Sequence, residues 1–175
     1  SAIVTPSKWM LQAVCKHNFL PNKKRIAIPN SIDFSVFENL NSNEIREEYK
    51  IHEDDFVILF VADSIENKRK GFDLLLKALV LIEHLPLTLV TVGKGTLQNI
   101  KFKNVSLGTI TDLRKMASCY VMSDVFVLPS REDNLPNVML ESFAAGTPVI
   151  SFFNGGMSEY IVEEETGYVV SSFTP

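Results

Sequence analysis

The chain has 175 residues, 46% of them hydrophobic and 22% charged, with a net charge of −4 and 2 cysteines, and reads as one soluble globular domain. A domain of this length buries roughly 70% of the surface its unfolded chain exposes, so neither a disulfide nor a structural metal is needed to hold it together. The 17 Lys and Arg against 21 Asp and Glu, with no arginine-rich face, argue against nucleic acid, and no apolar run reaches the ~20 residues of a membrane-spanning helix.

In chain order, the first fifty residues carry a short apolar run at 26–28, the turn IPNSID, and a polar stretch at 39–50 that reads as a solvated surface helix. The clearest strand follows at 56–62, where FVILFVA is apolar throughout, as a central parallel strand buried on both faces should be. Similar runs recur at 87–92, 125–128 and 148–152, each ending in a Gly, Pro, Ser or Asn turn. Apolar spacing near 3.6 predicts helices at 72–82, 113–121 and 138–145, the last closed by Gly146 in a left-handed cap. The alternation predicts an α/β, Rossmann-like, mostly parallel sheet with helices on both faces. Cys15 and Cys119, with no C-x-x-C spacing and no secretory leader, fit a reducing cytoplasm, and a single disulfide between them stays open at this level.

Ligands of an open parallel sheet sit beyond the carboxyl ends of its strands, which directs attention to four loops. In the first, Lys68, Arg69 and Lys70 crowd the amino end of a helix, where the helix dipole disfavours cations and an anion such as phosphate would resolve the conflict. A solvated basic turn is the plainer alternative. In the second, Gly93 and Gly95 frame VGKGT, but Gln98 stands where a dinucleotide fingerprint needs glycine and the spacing is not that of a Walker loop. A G-x-G turn remains, which admits a ligand close to the backbone or is merely tight.

The third loop carries the strongest signal. Seven residues separate Asp133, in the loop after a buried strand, from Glu141, one to two turns into an apolar helix. A carboxylate buried there needs hydrogen bonds, from backbone amides or from a ligand hydroxyl. In the fourth, Gly155 and Gly156 precede an expected helix and suit close approach to a ligand or a sharp turn. His17, His52 and His84 lie outside all four loops, which argues against a histidine-based triad or metal site.

Taken together, TPSKWM (5–10), IPNSIDFSVF (28–37), RKGFDLLLKAL (69–79), VGKG (92–95), LGTITDLRKMASCYVMSDVFVLPS (107–130), DNLPNVMLESFAAGTPVI (133–150) and GGMSEYIVEEETGYVV (155–170) resemble the carboxyl-terminal domain of retaining family 4 (group 1) GT-B glycosyltransferases. The resemblance implies one half of a GT-B fold over residues 1–175, with the amino-terminal acceptor domain and the closing carboxyl-terminal helices absent. It implies binding of a UDP-sugar or GDP-sugar without a divalent metal or other cofactor, and transfer of a hexose to a glycan or lipid-linked acceptor held by the missing domain. The isolated fragment would bind donor and hardly transfer. A cytoplasmic place in polysaccharide biosynthesis follows, at the inner membrane face for a peripherally bound bacterial parent.

Carried over residue by residue, the resemblance makes Glu141 the ribose ligand, Lys70 the diphosphate lysine, and Asp133 the counterpart of a glutamate facing the donor sugar. Asn134 belongs to the same donor-side loop. The backbone of 108–111, with Ile110, would face the base beside Gly93 and Gly95. Asp63 and Ser64 stand where the family carries an arginine, for which Arg69 is the substitute. Pro136 replaces a glycine and has no amide hydrogen, leaving phosphate contacts to Asn137 and Val138. These departures support an alternative from another class, a nucleotide-sugar-binding or structural domain without catalysis.

Overall fold

The computed structural model describes residues 1–97 and 100–173; Gln98 lies outside the described residues. A parallel pair, β1 (Ala2–Thr5) and β2 (Lys24–Ala27), is joined through helix α1 (Lys8–Lys16). Ser7 starts α1 by accepting from the amide of Met10 at 3.1 Å, and the distant Glu159 carboxylate takes the amides of Lys8, at 2.9 Å, and Trp9. A 3-10 turn at Phe34–Phe37 and helix α2 (Ser42–Glu48) lead into the main sheet. The expected surface helix is thus shorter than its polar stretch, and it buries one residue, Ile45.

The main sheet holds β3 (Phe56–Ser64), β4 (Leu87–Lys94), β5 (Lys103–Ser106), β6 (Val125–Leu128), β7 (Val149–Phe152) and β8 (Gly167–Val170) in the order β5-β4-β3-β6-β7-β8. All five pairings are parallel. Helix α3 (Phe72–Leu81) follows β3, α4 (Leu113–Val121) follows β5, and α5 (Asn137–Ala144) follows β6. This is the Rossmann order, in which the connections reverse direction between β3 and β6 and open a crevice at their carboxyl ends.

The apolar run of β3 has the physical reason anticipated for it: its side chains face two cores. Val57, Leu59 and Val61 join Tyr120, Phe126 and Met139 on the face covered by α4 and α5. Ile58 and Phe60 join Phe72, Leu75 and Leu79 under α3. The strands that patterning alone missed are β1, β5 and β8, of which β5 and β8 are the sheet edges. In β5 the polar residues of KNVS remove the continuous apolar run that marks a central strand, whereas β1 (AIVT) and β8 (GYVV) are largely apolar but only four residues long.

Both cysteines are free, Cys15 exposed and Cys119 buried. Burial pushes the Cys119 thiol up to about 12, which leaves it unreactive as a nucleophile. A maleimide at neutral pH should therefore modify one thiol per folded chain and two per chain in urea. Two fast-reacting thiols in the folded protein would contradict this packing.

Candidate functional site

At the carboxyl end of β3 the pairing with β4 slips between Val61 and Ser64. Such a bulge redirects the residues within it, and Ala62 and Asp63 line a cavity of about 410 Å³ with Arg69, Lys70, Gly93, Ile110 and Val138. The amide of Ser64 holds the Asp63 carboxyl below its usual range. Gly93, at φ 139°, has no room for a side chain, since a Cβ there would stand 2.2 Å from the carbonyl oxygen of Ala62. Its amide donates to the carbonyl of Gly108 at 2.8 Å, drawing the loop that bears Ile110 over the cavity.

Lys68–Lys70 forms a 3-10 turn of its own, capped by Asn67 and ended by Gly71. The expected conflict between these cations and the helix dipole is partly answered from within the protein. Lys70 Nζ lies 2.7 Å from Asp133 Oδ2, with both side chains about 15% exposed, and Arg69 Nη1 lies 3.5 Å from the same oxygen. The pair spans the crevice, because Lys70 follows β3 and Asp133 follows β6. Arg131 fastens the same two loops by a bidentate pair with Asp73, at 2.9 and 2.7 Å, and by donating to the carbonyl of Lys68. Removing Lys70 would therefore cost the empty domain an ion pair rather than relieve a repulsion.

Glu141 lines a second cavity of about 220 Å³ with Asn137, Ser31, Asp33 and apolar side chains, and Met116 lies in the wall of both cavities. Asn30 reaches across to Asn137, Nδ2 to Oδ1 at 2.7 Å, fixing the IPNSID turn over this end of the cleft. Of the partners expected for Glu141, no backbone amide serves among the described residues; within the protein the hydroxyl of Tyr120 donates to its Oε2 at 2.9 Å. Sequence reading did not single out Tyr120; the available signal is that a buried phenol needs an acceptor. Pro136 is the N-cap of α5 and offers no side-chain cap, so the amides of Asn137 and Val138 belong to a first turn without intrahelical acceptors.

Three candidates line neither cavity: Asp133, which reaches the crevice through its ion pair with Lys70, and also Gly95 and Asn134. Gly95 packs against Ile65, where a Cβ would stand 2.4 Å from Cγ1. Asn134 accepts a hydrogen bond from the Ser7 hydroxyl through Oδ1. The paired glycines of the fourth loop precede a 3-10 turn, Met157–Glu159, rather than an α-helix, and their close approach is to the chain itself. A Cβ on Gly155 would meet the Asp133 carbonyl oxygen at 1.7 Å, and one on Gly156 the Asn134 carbonyl oxygen at 2.5 Å. These glycines seat the loop that presents Asp133. Among the described residues no cluster of three His, Cys, Asp or Glu side chains could hold a metal ion, and no helix is long and apolar enough to cross a membrane.

The sequence profile of the glycosyl transferases group 1 family matches residues 55–175. The chain belongs to the group 1 glycosyltransferases. A relative described as an uncharacterized glycosyltransferase of Methanocaldococcus jannaschii is 30% identical over 190 residues, covering 99% of this chain and 47% of its own length. The chain spans about half the length of the curated relatives it matches. Among solved structures, the C-terminal domain of a glycosyl transferase group 1 family protein from Francisella tularensis superposes with a TM-score of 0.65 at 22% identity, covering 82% of each chain. Anabaena HepE, solved in complex with UDP and glucose, superposes with a TM-score of 0.80 at 16% identity, covering 99% of this chain and 50% of that one. The fold of this glycosyltransferase domain is one Rossmann-like half of the GT-B architecture.

Proposed function

We propose that this chain is the donor-binding domain of a retaining, metal-independent glycosyltransferase that transfers a hexose from a UDP-sugar or GDP-sugar to a glycan or lipid-linked acceptor. The observation that carries the reading is the adjacency of two chemically different compartments on either side of Met116. One is basic, with Lys70 and Arg69, and sits at the crevice where open α/β sheets take their ligands. The other offers the carboxylate of Glu141 for hydroxyl groups. A nucleoside diphosphate has this order of parts, anionic at one end of its ribose and hydroxylated along the other edge.

In this reading Glu141 accepts from the ribose hydroxyls, Lys70 and Arg69 hold the diphosphate with the amides of Asn137 and Val138, and Asp133 faces the donor sugar. The loop bearing Ile110 and the backbone at Gly93 border the base. Positive side chains and helix amides stabilise the departing diphosphate, the electrostatic task that a metal performs in other enzymes. The acceptor is the charge of a further domain of the longer protein, and this chain alone binds donor without appreciable transfer. HepE, solved with UDP and glucose, supports the choice of ligand class.

The test is calorimetry with UDP, GDP and their sugars, with and without EDTA. Binding of one of these diphosphates that persists in EDTA is expected, and binding abolished by the chelator would count against a metal-free site. Glu141→Ala should lower diphosphate affinity by about 1 to 3 kcal/mol, the strength of hydrogen bonds to a charged acceptor. Unchanged affinity in a folded Glu141→Ala protein would remove the ribose role.

A further inference from the structure

The carboxylate of Glu141 is aimed by a residue outside the cleft. Tyr120 Oη donates to Glu141 Oε2 at 2.9 Å, and Tyr120 itself is fully buried. Its ring packs edge-on against Phe126, centroids 5.6 Å apart at 88°. Its carbonyl accepts from the buried Thr147 hydroxyl at 2.7 Å, and the Thr147 carbonyl accepts from the Ser142 hydroxyl at 2.8 Å. Ser142 is the neighbour of Glu141 on α5, so the contacts close a circuit from α4 through the turn before β7 to α5 and back through the carboxylate.

Burial above all, and then the charge of Glu141, raise the Tyr120 phenol well above its ordinary range. The phenol therefore stays protonated at neutral pH and is the donor in its contact with Oε2. With Oε2 so engaged, among the described residues nothing donates to Oε1, and Glu141 lines the cavity with Asn137 and Ser31. A glutamate without this anchor would sample several rotamers, and ordering it on each binding event costs free energy.

We propose that Tyr120 is a positioning residue for Glu141: its hydroxyl fixes one carboxylate oxygen so that the other is already set to accept from the hydroxyls of a bound ribose. The inference rests on the reading of Glu141 as the ribose ligand, and its test separates the two. UDP and inorganic pyrophosphate are titrated into the unsubstituted chain, Tyr120→Phe, Glu141→Gln and the double variant. Tyr120→Phe keeps the ring packing and should weaken UDP about 5- to 10-fold, the worth of one such hydrogen bond, with pyrophosphate changed less than about 2-fold. In the Glu141→Gln background, the same substitution should cost UDP less than about 2-fold, because coupled residues are not additive.

Equal losses for UDP and pyrophosphate would mean general damage to the domain and overturn the positioning role. Loss of UDP affinity in Glu141→Gln with none in Tyr120→Phe would overturn it while leaving the ribose reading intact. No loss in Glu141→Gln would overturn both. Should Tyr120→Phe fail to fold, the unsubstituted chain still decides: the buried Tyr120 hydroxyl proton should shift its nuclear magnetic resonance on adding UDP and not on adding pyrophosphate, and a resonance that UDP leaves unmoved would overturn the proposal.

Discussion

Replacing Lys70 by alanine should cost this domain both ligand affinity and stability. Lys70 Nζ and Asp133 Oδ2 are 2.7 Å apart in a largely solvent-excluded place. Removing the lysine leaves the carboxylate with Arg69 at 3.5 Å and the amide of Asn134 at 3.1 Å. A carboxylate deprived of its main partner there should destabilise the empty domain by about 1 to 3 kcal/mol in urea melts. On the proposed function the same variant should weaken UDP by about 10- to 100-fold, the range of charge-assisted hydrogen bonds, and leave uridine within about 2-fold. A purely structural pair would give the stability loss with UDP and uridine affected alike. A solvated basic turn would give neither loss, because exposed pairs contribute little.

The central sheet was legible in the sequence because its signal is local. Residues 56–62 have no polar side chain, and only a strand covered on both faces tolerates that, so β3 and the α/β class followed directly. The edge strand β5 was not legible for the converse reason: KNVS is polar at three of four positions and mostly accessible, while β8, GYVV, is too short a run to stand out. In the site, the residue types were readable but not their pairings. Lys70 and Asp133 are 63 residues apart, and Tyr120 and Glu141 are 21 apart on different helices. Nothing local to either member records the other, since only the reversal of strand order between β3 and β6 brings the first pair together. The glycines of the fourth loop carry the same lesson. Their sequence announces close approach, but what approaches is the backbone of residues 133 and 134.

Gly155→Ala should be among the most damaging small substitutions in the chain, and Gly146→Ala isolates the reason. Both glycines have left-handed backbones, φ 67° and φ 75°. A side chain in that conformation costs roughly 1 to 2 kcal/mol by itself. At Gly146 a Cβ meets nothing within 4 Å, so the strain is the whole cost. At Gly155 it would stand 1.7 Å from the Asp133 carbonyl oxygen and 2.9 Å from the carbonyl carbon. Backbone cannot rotate away as a flexible side chain could, so the loop must move, and the destabilisation should exceed about 3 kcal/mol. The displaced loop is the one that presents Asp133 to Lys70, so Gly155→Ala should also lose most of its UDP affinity while Gly146→Ala keeps it. Urea melts and UDP titrations on the two variants side by side make the comparison. Equal destabilisation would show that the left-handed conformation alone matters at both sites. A stable Gly155→Ala protein with intact UDP binding would mean that the close packing of this loop does not set the position of Asp133.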